Sequence, residues 1–135
     1  MRATTAEETH RLLADAFNRG EVEELLELYE DGAVFLAQPG QQPARGTAAV
    51  REALRMFVGM KGTFNIEQTD VVSGDDVAVV YATWTLTGAS DPDGNPIELA
   101  GQTTDVLRRQ ADGSWLFAID NPWGVQAFAP APTSG

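Results

Sequence analysis

The sequence predicts an α+β fold in which three N-terminal helices cover one face of an antiparallel β-sheet. Apolar residues recur at helical spacing before Thr63 and at strand spacing after it. The later strand runs are separated by short turn segments, Ser73-Gly74-Asp75, Asp91 to Pro96, and Asp112-Gly113, which is the punctuation of an antiparallel meander. Helices first and strands afterwards, without β-α-β alternation, is the α+β order.

Each element has a local reason. Thr5-Ala6-Glu7-Glu8 has the form of a capping box, and Ala6, His10, Leu13, Ala14 and Phe17 then mark a helical face that Asn18-Arg19-Gly20 ends. Val22, Leu25, Leu26 and Tyr29 predict a second helix from Glu21 to Glu30, stopped by Asp31-Gly32. A short strand is expected over Ala33 to Gln38, then a loop from Pro39 to Gly46. Thr47 caps a third helix carrying Val50, Leu54, Phe57 and Val58. The strand runs are Thr63 to Val72, Val77 to Thr87, Ile97 to Arg109 and Ser114 to Trp123. One domain is expected over 1–128, with 129–135 a flexible tail because APAPTSG forms no regular element.

Composition narrows the partners. A formal net charge of -11 opposes binding to nucleic acid or an anionic membrane surface, and no apolar run is long enough to span a bilayer. With no cysteine there is no thiolate nucleophile and no cysteine-based zinc site, and MRATTAEETH lacks the apolar segment of a secretory signal, so a cytoplasmic location is expected. One histidine leaves transition metals without a ligand set, and no glycine-rich phosphate-binding run is present. No metal and no tightly bound cofactor are expected.

The last two strands raise a chemical question. A two-residue turn at Asp112-Gly113 pairs Gln110 with Trp115 and, further out, Asp105 with Asp120. Leu99, Gly101, Thr103, Asp105 and Leu107 then share a face with Leu116, Ala118 and Asp120, while Trp115, Phe117 and Ile119 join Val106 on the other. Directly opposed side chains have Cβ atoms roughly 4.5–5.5 Å apart, so like charges there repel. If that face is the concave one under the helices, burial adds to the repulsion and leaves at least one carboxyl holding a proton near neutrality, which supplies an acid and a base from one residue type. The structural alternatives are Asp105 paired with Arg108 or another basic residue and Asp120 bonded to backbone at the strand end, and a bulged turn would put the two on opposite faces.

The segments AFNRGEVEELLELYEDGAVF (Ala16 to Phe35), PGQQPARG (Pro39 to Gly46) and TDVLRRQADGSWLFAIDNPWG (Thr104 to Gly124) resemble the nuclear transport factor 2-like superfamily, and within it the SnoaL-like and ketosteroid-isomerase-like proteins. The resemblance implies a cone-shaped fold, with three helices over a curved antiparallel sheet and a deep apolar pocket. It also implies a homodimer through the outer sheet face. Asp105-Val106-Leu107-Arg108 is similar to the segment holding the isomerases' proton-bearing aspartate. The positions of their general base and oxyanion tyrosine correspond to Ala37 and Leu13, so that mechanism is not implied here. Asp120 matches the last-strand acid/base aspartate of the SnoaL-like cyclases. The arginine that bridges the carboxylates of epoxide-opening relatives is replaced by Thr103.

The expected catalytic residues are therefore Asp105 and Asp120. Trp84, Thr103, His10, Leu13, Phe17 and Ala118 are expected to contact substrate, and Tyr29 and Phe57 to serve as helix packing. Two functions compete: an acid/base enzyme of isomerase, cyclase or dehydratase type acting on a small apolar oxygenated molecule, and a non-catalytic ligand-binding or dimerisation module. Trp115, Phe117, Ile119 and Val106 make the expected dimer patch.

Overall fold

A 3-10 turn at Ala6–Glu8 leads into α1 (Thr9–Asn18), α2 (Val22–Leu26), β1 (Tyr29–Phe35), β2 (Ala44–Arg45) and α3 (Thr47–Gly59). Then come β3 (Thr63–Ser73), β4 (Val77–Ser90), β5 (Pro96–Arg109), β6 (Trp115–Asp120) and a 3-10 turn at Gly124–Ala127. The computed structural model describes residues 2–127, and the expected tail over 129–135 lies outside them. The expected α+β architecture is present: helices lie over one face of a curved sheet, with order β2-β1-β6-β5-β4-β3.

Two sequence expectations need correction in the N-terminal half. The Thr5 side chain caps nothing; Glu8 instead accepts the Thr4 N–H at 2.8 Å, and the chain enters α1 through the 3-10 turn. The second helix ends at Leu26, and Tyr29 opens β1, four residues ahead of the expected strand. The spacing of Leu25 and Tyr29 imitates a helix face, but both are buried for different reasons. Leu25 packs in the core, whereas Tyr29 lies opposite Phe117 in a parallel pairing of β1 with β6. That pairing makes the sheet mixed rather than wholly antiparallel. β3 to β6 form the expected antiparallel meander.

The β5–β6 hairpin differs from expectation twice, and the two differences cancel at the aspartates. Its loop has three residues, Ala111 to Gly113, closed by the Gln110 N–H donating to Ser114 C=O at 2.7 Å, with Gly113 at φ 86°. A three-residue hairpin loop ending in a left-handed residue is a common solution. Arg109 therefore faces Trp115, Arg108 faces Leu116 and Leu107 faces Phe117, one residue out of the expected register. Ala118 is then an extra residue on β6, a bulge after which Val106 faces Ile119. Up to the bulge the faces of β6 are exchanged: Phe117 is fully buried and Trp115 packs against the core, while Leu116 takes the side of Arg108.

The core lies between the helices and the inner sheet face, centred on Phe117, Leu25, Leu28, Leu86, Leu107, Val50 and Val80. Full burial of such side chains is worth about 1.5–3 kcal/mol each. At the free edge of the sheet, the Asn18 amide accepts the Phe64 N–H at 2.7 Å and donates to its C=O at 2.9 Å, closing the first rung of β3 against the end of α1.

Candidate functional site

The centre of the inner face is polar, and four elements build it. Adjacent strands β5 and β6 bring in Asp105 and Asp120, α1 supplies His10 and β1 supplies Tyr29. Asp105 is 1% exposed, His10 4%, Asp120 6% and Tyr29 7%, so all four are withdrawn from water. They form one hydrogen-bonded chain. His10 Nε2 lies 2.6 Å from Asp105 Oδ2, Asp120 is hydrogen-bonded to Asp105, and the Tyr29 hydroxyl donates to Asp120 Oδ2. The other oxygen of Asp105 accepts the Asn121 N–H at 2.6 Å. Arg108 is elsewhere, paired with Glu30 at 3.0 Å, so of the basic partners open to Asp105 it is His10, not Arg108, that stands beside it.

The electrostatics of the pair favour a proton on Asp120. Burial, the adjacent charge of Asp105 and the hydrogen bond to it push the Asp120 carboxyl well above its ordinary value; the Tyr29 bond opposes this but does not win. Burial and the Asp120 and Asp105 charges push the Tyr29 hydroxyl up as well, so it stays a donor. At the other end, the Thr9 hydroxyl donates to Ala6 C=O at 2.8 Å, which turns an oxygen lone pair toward His10 Nδ1 at 3.4 Å and assigns a proton to that nitrogen. Pairing the four groups with one another is what burial requires, because an isolated charge is costly away from water.

The chain borders a cavity of about 60 Å³. His10, Leu13, Phe17, Trp84 and Thr103 line it, as do both aspartates. Ala118 does not, because it is the bulge residue. Tyr29 and Phe57, expected only as helix packing, both reach the cavity. Aromatic rings form two walls: Phe17, Phe64 and Trp84 in sequential contact on one side, and Tyr29, Phe35 and Phe57 on the other, with centroids 5.3–6.2 Å apart.

The turn after β6 closes one end. Trp84 Nε1–H donates to Pro122 C=O at 2.7 Å, and Trp123 Nε1–H donates to Ala37 C=O at 3.0 Å. Gly101 makes this approach possible, since a Cβ there would lie 2.7 Å from the Pro122 oxygen and 2.8 Å from the Trp84 ring. Ala37 thus contributes its backbone rather than a catalytic side chain. Tyr29 is the site residue that sequence reasoning missed; its signal was a buried hydroxyl beside an apolar face, which must find a polar partner.

Among the described residues no cluster of three His, Cys, Asp or Glu side chains is placed to hold a metal ion, and no helix is long and apolar enough to cross a membrane. The site and fold can be set beside known proteins. Residues 10–117 match the family model of the SnoaL-like domain. A nuclear transport factor 2-like superfamily protein from Salmonella enterica serovar Typhimurium superposes with a TM-score of 0.73 at 15% identity, covering 96% of this chain and 93% of its own. A candidate calcium/calmodulin-dependent protein kinase II association domain from Xanthomonas campestris gives 0.72 at 22% identity, with 84% and 81% covered. A candidate dehydratase of the same superfamily from Streptomyces avermitilis gives 0.65 at 18% identity, with 83% and 88% covered. No curated protein matches the sequence. The likenesses to solved structures concern the fold, and the family match spans most of the chain: this protein belongs to the SnoaL-like domain family.

Proposed function

We propose that this protein is a cofactor-independent acid/base enzyme, of isomerase, cyclase or dehydratase type, acting on a small apolar oxygenated molecule. The observation that carries the reading is a buried pair of adjacent carboxyls, Asp105 and Asp120, opening on an apolar cavity, where burial and the neighbouring carboxyl push Asp120 up. Asp120 is the acid, and Asp105, held by His10 and the Asn121 N–H, is the accepting side. A proton taken up by the pair and one given up by it leave its charge unchanged, and transfer across the bond between the two carboxyls restores the starting state. A barrier step that creates no net buried charge is the economy such a site offers. The cavity is small beside the roughly 300–1,000 Å³ of typical ligand sites, so the substrate is compact or displaces the half-buried Phe57 and Phe64.

A second reading, a binding or association module, is favoured by the absence of a side-chain base at Ala37 and by the association-domain description of the Xanthomonas neighbour. Dimerisation fits either reading. The aliphatic row that supports it runs across the outer face from Val72 to Val79, Val106 and Ile119, each opposite the next. The test between enzyme and module is proton exchange: a panel of small cyclic hydroxyketones and hydroxyenones is incubated in D2O, and deuterium incorporation is followed by mass spectrometry. The enzyme reading expects exchange with the wild type that Asp120→Asn and Asp105→Asn abolish. Equal exchange in wild type and both variants contradicts it.

A further inference from the structure

The donors and acceptors that face the cavity are unevenly committed. Five cavity-lining side chains carry an N–H or O–H: His10, Tyr29, Trp84, Thr103 and the protonated Asp120. All of these hydrogens are directed at protein atoms. Trp84 Nε1–H donates to Pro122 C=O, and Thr103 Oγ1–H donates to Asn121 C=O at 2.9 Å. The Tyr29 hydroxyl donates to Asp120, Asp120 to Asp105, and the two ring nitrogens of His10 face Asp105 and Thr9. Lone pairs remain on Tyr29 Oη, on the Asp120 carboxyl and on Thr103 Oγ1. The cavity therefore offers a ligand acceptors and aromatic faces, the reverse of an oxyanion hole, which must offer donors.

We infer that the pocket recognises its ligand through a hydrogen-bond donor on the ligand, specifically a neutral hydroxyl on a compact apolar skeleton, and discriminates against the matching ketone. The inference rests on the reading of this cavity as a ligand site and names the substrate class within it. A ketone oxygen placed against Tyr29 and Asp120 meets only lone pairs, and it also leaves those acceptors dry and unpaired, whereas a hydroxyl satisfies one of them directly. An ammonium group donates too, but stripping a cation of water costs far more than stripping a neutral hydroxyl. The aromatic walls accept a flat or cyclic skeleton.

The test is binding of a matched set, cyclopentanol, cyclopentanone and cyclopentylamine, followed by shifts of the Trp84 indole N–H resonance in the full-length protein. Cyclopentanol is expected to bind about fivefold or more tightly than cyclopentanone, a ratio that one neutral hydrogen bond and one unpaired acceptor supply. Asp120→Asn puts a second amide hydrogen beside the cavity, and it is expected to narrow or reverse that ratio. Equal or tighter binding of the ketone by the wild type, or tighter binding of the amine, overturns the hydroxyl assignment while leaving the cavity a ligand site. Failure of all three to bind at high millimolar concentration overturns both the assignment and the ligand-site reading on which it rests.

Discussion

Asp120 gathers three competing effects: burial and Asp105 favour its protonated form, and the Tyr29 bond favours the ionised one. Because its folded value is raised, the folded state holds a proton that the unfolded state releases above the ordinary value of 3.8. Stability from this group is thus complete below that pH and is lost as pH rises toward the folded value. Asp120→Asn keeps both an acceptor for Tyr29 and a donor for Asp105. Its melting temperature is expected to hold or exceed that of the wild type, with the difference widening as pH rises from 4 to 8; a large fall at neutral pH would mark Asp120 as an ionised structural acceptor. Tyr29→Phe removes the donor and leaves a buried oxygen unpaired, which costs about 1–3 kcal/mol in denaturant unfolding. No loss would show that the bond contributes nothing. At this scale the sequence made Asp105 and Asp120 visible through hairpin arithmetic, while the His10–Asp105 contact was hidden because it joins residues 95 positions apart.

Among the elements, the β5–β6 hairpin shows why a correct pairing of the aspartates emerged from an incorrect register. Asp112-Gly113 signalled a tight turn, but Asp112 Oδ1 accepts both the N–H and the hydroxyl of Ser114, at 2.9 and 2.6 Å, and stabilises the longer loop. The bulge at Ala118 restores the offset, and nothing in the apolar run WLFAID announces a bulge. The strands themselves were legible because their alternation and turns are local, whereas the switch from α2 to β1 depends on β6, far along the chain. Gly101 tests the packing of the closing turn. Gly101→Ala forces a methyl group into the Trp84 ring and the Pro122 carbonyl, and is expected to destabilise the fold by about 1–3 kcal/mol and shift the Trp84 indole N–H resonance. A silent substitution would mean that the turn does not sit against β5.

For the whole molecule, the expected dimer patch is redrawn. Phe117 is fully buried and cannot contribute, and Trp115 packs inward, so Ile119 and Val106 are what remain. Cross-strand pairing extends them to Val79 and Val72, the latter 62% exposed, giving an aliphatic row over four strands. Monomers rarely leave such a contiguous patch to water, and a two-fold pairing is the commonest way to cover it. Light scattering in line with chromatography is expected to give about twice the 14.5 kDa chain mass, and Val106→Glu to shift it toward monomer. A monomer at micromolar concentration, or a dimer indifferent to Val106→Glu, would remove the interface.

The central claim is that Asp120 carries a proton beside an accepting Asp105. Carbon-13 NMR of the aspartate carboxyls through a pH titration, with Asp120→Asn and Asp105→Asn as assignments, measures it directly. The Asp120 carbon is expected to keep the shift of a protonated carboxyl well above the pH at which exposed aspartates ionise, and to titrate lower in Asp105→Asn, where the neighbouring charge is gone. An Asp120 midpoint near 4, unchanged by Asp105→Asn, would contradict the account.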